Sequence, residues 1–147
     1  MKLPMRNQKV NRTINRTINN KYREISIDDG MNQVNPPYNL TYLNEISSGD
    51  QQFVLSILSQ FVKDTPVLLN EIREAYKKRD WADLHFLVHK FASTLLLVGL
   101  NDIHEEVSRL ENFVKNRTDS METGLLVEIV NHRCEVAVQV IKQDFNL

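Results

Sequence analysis

Among the 147 residues of this chain, four histidines and a single cysteine are the side chains best suited to nucleophilic or metal chemistry. One of them, His89, stands inside "LVHKFASTLLLVGL", the apolar stretch from Leu87 to Leu100. An imidazole with its ordinary pKa of about 6.5 is mostly neutral, and so nucleophilic, at neutral pH. His85 lies one helical turn earlier, and "HFLVH" has the outer spacing of the zinc-binding pattern HExxH. The glutamate of that pattern is missing and no third ligand is evident, so no metal is expected here. Ser93 follows His89 by one turn, but a serine inside a helix ordinarily bonds its own i−4 carbonyl. A hydrolase needs its nucleophile in a strained turn or cleft, and no such motif occurs. Cys134, spaced among valines, reads as a small buried hydrophobe. Alone, it makes neither an internal disulfide nor a cysteine zinc cluster. His104 and His132 read as surface residues, and no pattern calls for a cofactor.

The elements that carry these residues follow from apolar periodicity, which is helical from Tyr38 onward. "YNLTYLNEI" predicts a short opening helix, broken at Ser47, Ser48 and Gly49. Asp50 is placed to cap a long second helix, with Phe53, Ile57, Phe61, Leu69, Ile72 and Tyr76 on one face and a kink at Pro66. Asp80, with Asp83 three residues on, starts the histidine helix at Trp81. Trp81, Leu84, Val88, Phe91, Leu95 and Val98 alternate at spacings of three and four, a core seam. Gly99 ends that helix, and Asn101 is placed to cap the next, whose face is Ile103, Val107, Leu110 and Val114. Asp119 and Glu122 suggest a capping box for a final helix through Leu125, Ile129, Val136 and Val140. Short joints make successive helices antiparallel. The expected fold is all-α: an up-and-down antiparallel four-helix bundle with a short preceding N-terminal helix.

On this scheme His89 falls one position past Val88, about 100° round the helix and off the core stripe. It is expected at the surface, with His85, Phe86, Ala92, Ser93 and Leu96 as neighbours and with Ala82 and Leu97 on the same side. An apolar patch around an exposed nucleophile suits a docking face.

Composition narrows the function classes. Residues 1–36 hold seven Lys/Arg against three Asp/Glu, whereas 37–147 hold eleven against sixteen. An acidic domain is a poor nucleic-acid binder, because phosphate neutralisation needs a basic face. The first segment, with "NRTINRTINN", is polar and lacks apolar periodicity. Residues 1–36 are therefore expected to be a disordered linker or tail, and 37–147 the bundle. No apolar run reaches the ~20 residues of a membrane span. The N-terminus lacks the apolar core of a secretory signal, so the expected location is cytoplasmic.

Taken together, these residues resemble the histidine-containing phosphotransfer (HPt) domains of two-component phosphorelays. The resemblance rests on His89 followed by Phe91, the small residues Ala92 to Thr94, then Gly99 and Leu100, with "RLEN" about one helix later. Upstream, a short helix leads into "GD", Phe53, Phe61, Pro66 and an Asp shortly before the histidine helix, as in the family's opening. It implies that His89 accepts a phosphoryl group from the aspartyl phosphate of a response-regulator receiver domain and passes it to another receiver. The chain would then be a phosphocarrier rather than an autonomous kinase, its partners receivers and a hybrid sensor kinase, with Ala82, Phe86, Leu96 and Leu97 as the docking surface. One departure stands out. The family's lysine three residues after the histidine and glycine four after are here Ala92 and Ser93, and Lys90 points elsewhere on the helix. A non-catalytic helical module that docks a receiver or kinase without phosphotransfer is the alternative.

Overall fold

The computed structural model of the chain describes residues 36–147, so the reading of 1–36 as a tail lies outside the described residues apart from Pro36. Five helices follow in order: α1 (Thr41–Ile46), α2 (Gln51–Lys77), α3 (Trp81–Leu97), α4 (Asn101–Lys115) and α5 (Met121–Asp144). The four long helices close a ring in which α2 packs on α3, α3 on α4, α4 on α5, and α5 back on α2. This is an antiparallel four-helix bundle preceded by a short helix, and no strand occurs among the described residues.

Local chemistry sets the helix ends. The Asp50 carboxylate accepts from the backbone N–H of Gln52 and Phe53, and Asp80 accepts from that of Asp83 at 3.1 Å, satisfying first-turn donors that have no helical partner. At the end of α3 the Leu100 N–H reaches the Leu95 carbonyl, and the Gly99 N–H that of Leu96. This paired closure needs a left-handed residue, and Gly99 supplies it at φ +67°. The position admits no side chain for a second reason: a Cβ there would lie 1.8 Å from the Asn39 carbonyl oxygen. Asn39 donates its N–H to the Gly99 carbonyl, and buried Tyr38 donates its hydroxyl to Asp144 at 2.8 Å. The segment before α1 is thus laid across the α3–α4 turn and tied to the end of α5.

Two of the expected caps are different. Asn101 is the first residue of α4, after a Leu100 cap position with no side-chain bond. Ser120, not Asp119, caps α5 by accepting from the Thr123 N–H, because Asp119 is engaged by Arg79 at 3.0 Å. Pro66 sits exposed inside α2 without ending it.

Except at Trp81, which is only partly buried at the start of α3, the core seams of α3 and α4 lie where periodicity places them: Leu84, Val88, Phe91, Leu95 and Val98 against Ile103, Val107, Leu110 and Val114, all buried. Burying each such side chain contributes about 1.5–3 kcal/mol. The faces of α2 and α5 differ from expectation. Along α2 the buried residues are Gln51, Val54, Leu58, Phe61, Thr65, Leu69, Ile72 and Ala75; Phe53 is exposed, and Ile57 and Tyr76 only half-buried. Along α5 they are Thr123, Leu126, Val127, Val130, Asn131, Cys134, Ala137, Val138 and Ile141. Leu125 and Val136 face outward, and Ile129 and Val140 are at best partly covered. The cause is an excess of apolar residues. Each of these helices offers two adjacent apolar stripes at its start, and the buried one on α5 is interrupted by polar Asn131, whose Nδ2 is satisfied by the Val127 carbonyl.

Candidate functional site

His89 lies midway along α3 with buried Leu87 and Val88 before it and Phe91 after it. Those three anchor the helix face while the His89 side chain stays 70% exposed. Its environment comes from the next helix. His89 and Glu111 lie equally far in sequence from Leu100 at the α3–α4 turn, so antiparallel packing brings them level. The Glu111 Oε1 is 2.5 Å from His89 Nδ1. A carboxylate only accepts, so Nδ1 carries the hydrogen and donates it. The ring's basic lone pair then lies on Nε2, which has no hydrogen-bond partner among the described residues. The tautomer is set by the bond made at the other nitrogen.

His85 shares this carboxylate. Its Nε2 is 3.9 Å from the same Glu111 oxygen, too long for a hydrogen bond but within ion-pair reach when the ring is protonated. The His85 and His89 rings are 6.2 Å apart, centroid to centroid. Glu111 itself is about three-quarters covered, with 26% of its side chain exposed.

The other expected site residues divide into two groups. Ala82 and Ser93 are exposed on the His89 side, as are Phe86 at 63% and Leu96 at 49%. Ala92 is partly buried against the core. The Ser93 hydroxyl makes no hydrogen bond among the described residues, so the i−4 back-bond expected of it is absent; Thr94 makes that bond instead, to the Lys90 carbonyl. Leu97 belongs elsewhere. It is partly buried against the core and, with Lys90 and Thr94, lines a groove of about 440 Å³ between α2 and α3 that also includes Ile57, Phe61 and Asp64. Helical rotation carries both residues toward α2, so Leu97 leaves the exposed patch and Lys90 stands on the wrong flank to reach His89.

No group of three or more His, Cys, Asp or Glu among the described residues is arranged to hold a metal ion. Cys134 is fully enclosed, and burial pushes its thiol up to about 12. It therefore stays a neutral thiol, not the thiolate that acts as a nucleophile. Glu111 is the residue that periodicity did not single out. Its signal was present as the glutamate of "RLEN", and became legible once α3 and α4 were paired about Leu100.

Comparison with known families gives one match: the family model described as "Hpt domain" covers residues 56–140, more than half of the chain. It spans most of α2, all of α3 and α4, and α5 to near its end. No curated protein and no solved structure matches the chain.

Proposed function

This chain belongs to the Hpt domain family, and from that premise we propose that His89 is its phosphoacceptor, taking a phosphoryl group from a receiver aspartate and passing it to another receiver. Hpt domains are in general histidine carriers in phosphorelays, with receiver domains as partners. The observation that carries the assignment to His89 is the Glu111 contact at Nδ1 on an otherwise exposed ring.

The chemistry follows from that contact. The Nε2 lone pair attacks phosphorus, the N–P bond forms, and the bond from phosphorus to the aspartyl oxygen breaks, its electron pair leaving with the carboxylate. The imidazole gains a formal positive charge in this step while its Nδ1 proton stays in place. Glu111, already hydrogen-bonded there, stabilises that charge without reorganising, the role of a carboxylate behind a catalytic imidazole. The same ring is a good leaving group for the return step, because its departing nitrogen pair belongs to an imidazole that is neutral once phosphorus has gone. Exposed Phe86 and Leu96, with small Ser93 between them and Ala82 one turn before Phe86, offer an apolar approach to a partner's loops. No described helix is long and apolar enough to cross a membrane.

Ala92 favours a second reading. Without the lysine that resembling domains carry there, the chain can serve as a docking module that binds a receiver and transfers nothing. Incubation with a phosphorylated receiver separates the two. Acid-labile label on the chain, lost in His89→Gln, supports the carrier; a stable complex without label supports the docking module.

A further inference from the structure

We propose that the groove between α2 and α3 is the docking site of this chain's own basic N-terminal segment, residues 1–23. The reading of His89 plays no part in this. The lining of the groove, the charges left open along it and the place where the chain enters the bundle converge on the same occupant.

The groove, about 440 Å³, is lined by apolar side chains of both helices, Ile57, Phe61 and Leu68 of α2 and Leu97 and Val98 of α3. A second groove of about 420 Å³ continues the same seam toward the α2–α3 turn, and the two meet at Glu71. Asp64, Glu71, Glu74, Asp80 and Asp83 border the pair, against Lys78 and Lys90 alone. Of these five carboxylates only Glu74 makes an ion pair among the described residues, with Lys77. On the other side of the bundle Glu106, Glu122, Glu128 and Glu135 are each held by an arginine. Negative charge is therefore left in excess along the α2–α3 seam, over an apolar lining. That combination suits a cationic partner that also brings apolar side chains.

The chain carries such a segment itself. Residues 1–23 hold seven Lys/Arg and no Asp/Glu, with Leu3, Met5, Val10, Ile14 and Ile18 set among them. The three Asp/Glu of the region fall in 24–35, between the basic stretch and the bundle. Asn39 fixes the point of entry: its N–H is bonded to the Gly99 carbonyl, beside Val98 at one end of the groove. From Ile57 to Lys78 the seam is about 32 Å long, at a rise of about 1.5 Å per helical residue. Residues 24–35 span at most about 40 Å, so the basic stretch can reach the whole seam from its entry. Lys90 and Leu97 face this flank of α3, whereas His89 faces Glu111 of α4. Docking there leaves the imidazole and exposed Phe86 and Leu96 open.

The test uses the full chain, as an equal mixture of unlabelled and 15N-labelled protein, and a zero-length carbodiimide that joins lysine to carboxylate. Mass spectrometry should find Lys2, Lys9 and Lys21 joined, within one isotopic chain, to Asp64, Glu71, Glu74, Asp80 or Asp83. These links should be several times more frequent than links to Glu128 and Glu135 of α5 or to Asp102 and Glu105 of α4. Asp64→Asn combined with Glu71→Gln changes two exposed residues and should cut the remaining links to Glu74, Asp80 and Asp83 about threefold, the range of two exposed charge interactions. Salt at about 0.5 M should reduce them similarly by screening. Links spread evenly over the carboxylates of the bundle, gathered on Glu128 and Glu135, or absent altogether overturn the proposal. Links between isotopically different chains overturn it too, since they give the groove to a second copy.

Discussion

Two histidines of this chain stand exposed on apolar outer stripes, and their surroundings differ in one decisive way. His89 on α3 is flanked by exposed Phe86 and Leu96; His132 on α5 is flanked by Ile129 and Val136, with Leu125 two turns earlier. Both stripes belong to bundle helices. At His89 a carboxylate from the neighbouring helix engages Nδ1. At His132 the carboxylates at hand, Glu128 and Glu135 on its own helix, are both taken by Arg73 of α2. His132 keeps no partner among the described residues. Exposure and apolar surroundings are thus common to both positions, and what distinguishes His89 is a carboxylate from the neighbouring helix that fixes its tautomer and that, on the proposed reading, would meet the charge developing on the ring.

The largest expected effect concerns the stripes themselves. If the α5 stripe is surface, Leu126→Ala should cost about 2–5 kcal/mol, as for a buried leucine, whereas Leu125→Ala should stay within about 0.5 kcal/mol. Urea denaturation of the two variants checks this, and equal losses would return Leu125 to the core and dissolve the comparison.

Next in size is the carboxylate. Glu111→Gln keeps the shape but removes the charge behind Nδ1. A charge-assisted hydrogen bond is worth about 1.5–3 kcal/mol. Allowing for partial exposure at this pair, labelling of His89 by phosphoramidate, a small phosphoryl donor that needs no receiver, should slow about tenfold. Glu128→Gln, beside His132, should leave that rate unchanged, and an equal slowing would show that Glu111 acts only through general surface charge.

A smaller effect is expected for docking. Phe86→Ala should weaken receiver binding about fivefold, a modest aromatic anchor, while Leu125→Ala on the α5 stripe should not change it; titration calorimetry with a cognate receiver reads both. The smallest belongs to Ala92→Lys, where an exposed new cation should raise the labelling extent of His89 about two- to threefold. No gain in quantitative labelling would mean that position 92 does not face the phosphoryl group.

The two stripes also show which parts of the molecule were legible in sequence. On α3 the three–four spacing runs unbroken through Leu84, Val88, Phe91 and Leu95, and α4 offers a single apolar face, so Val88, Phe91, Val107 and Leu110 read as core, and the exposure of His89 followed from its position one step past Val88. On α2 and α5 the choice between Phe53 and Val54, or Leu125 and Leu126, is not made by periodicity, because both members are apolar. It is made by the rotation each helix needs to close the ring, a long-range constraint. Asn131 and Cys134 on the buried side of α5 obscured that face further. The Glu111 contact was hidden for a related reason: it joins two helices, and no pattern along one helix reports the register of another. Leu97 was misplaced because it lies at the edge of the patch, where a modest rotation decides between solvent and α2.

The most direct measurement is the location of the phosphoryl group after transfer from a phosphorylated receiver, read by mass spectrometry under conditions that preserve phosphohistidine. The whole of the label is expected on His89, retained in His132→Gln and absent from His89→Gln. Label on His132 or His85 in the wild-type chain, or label that survives His89→Gln, would contradict the assignment.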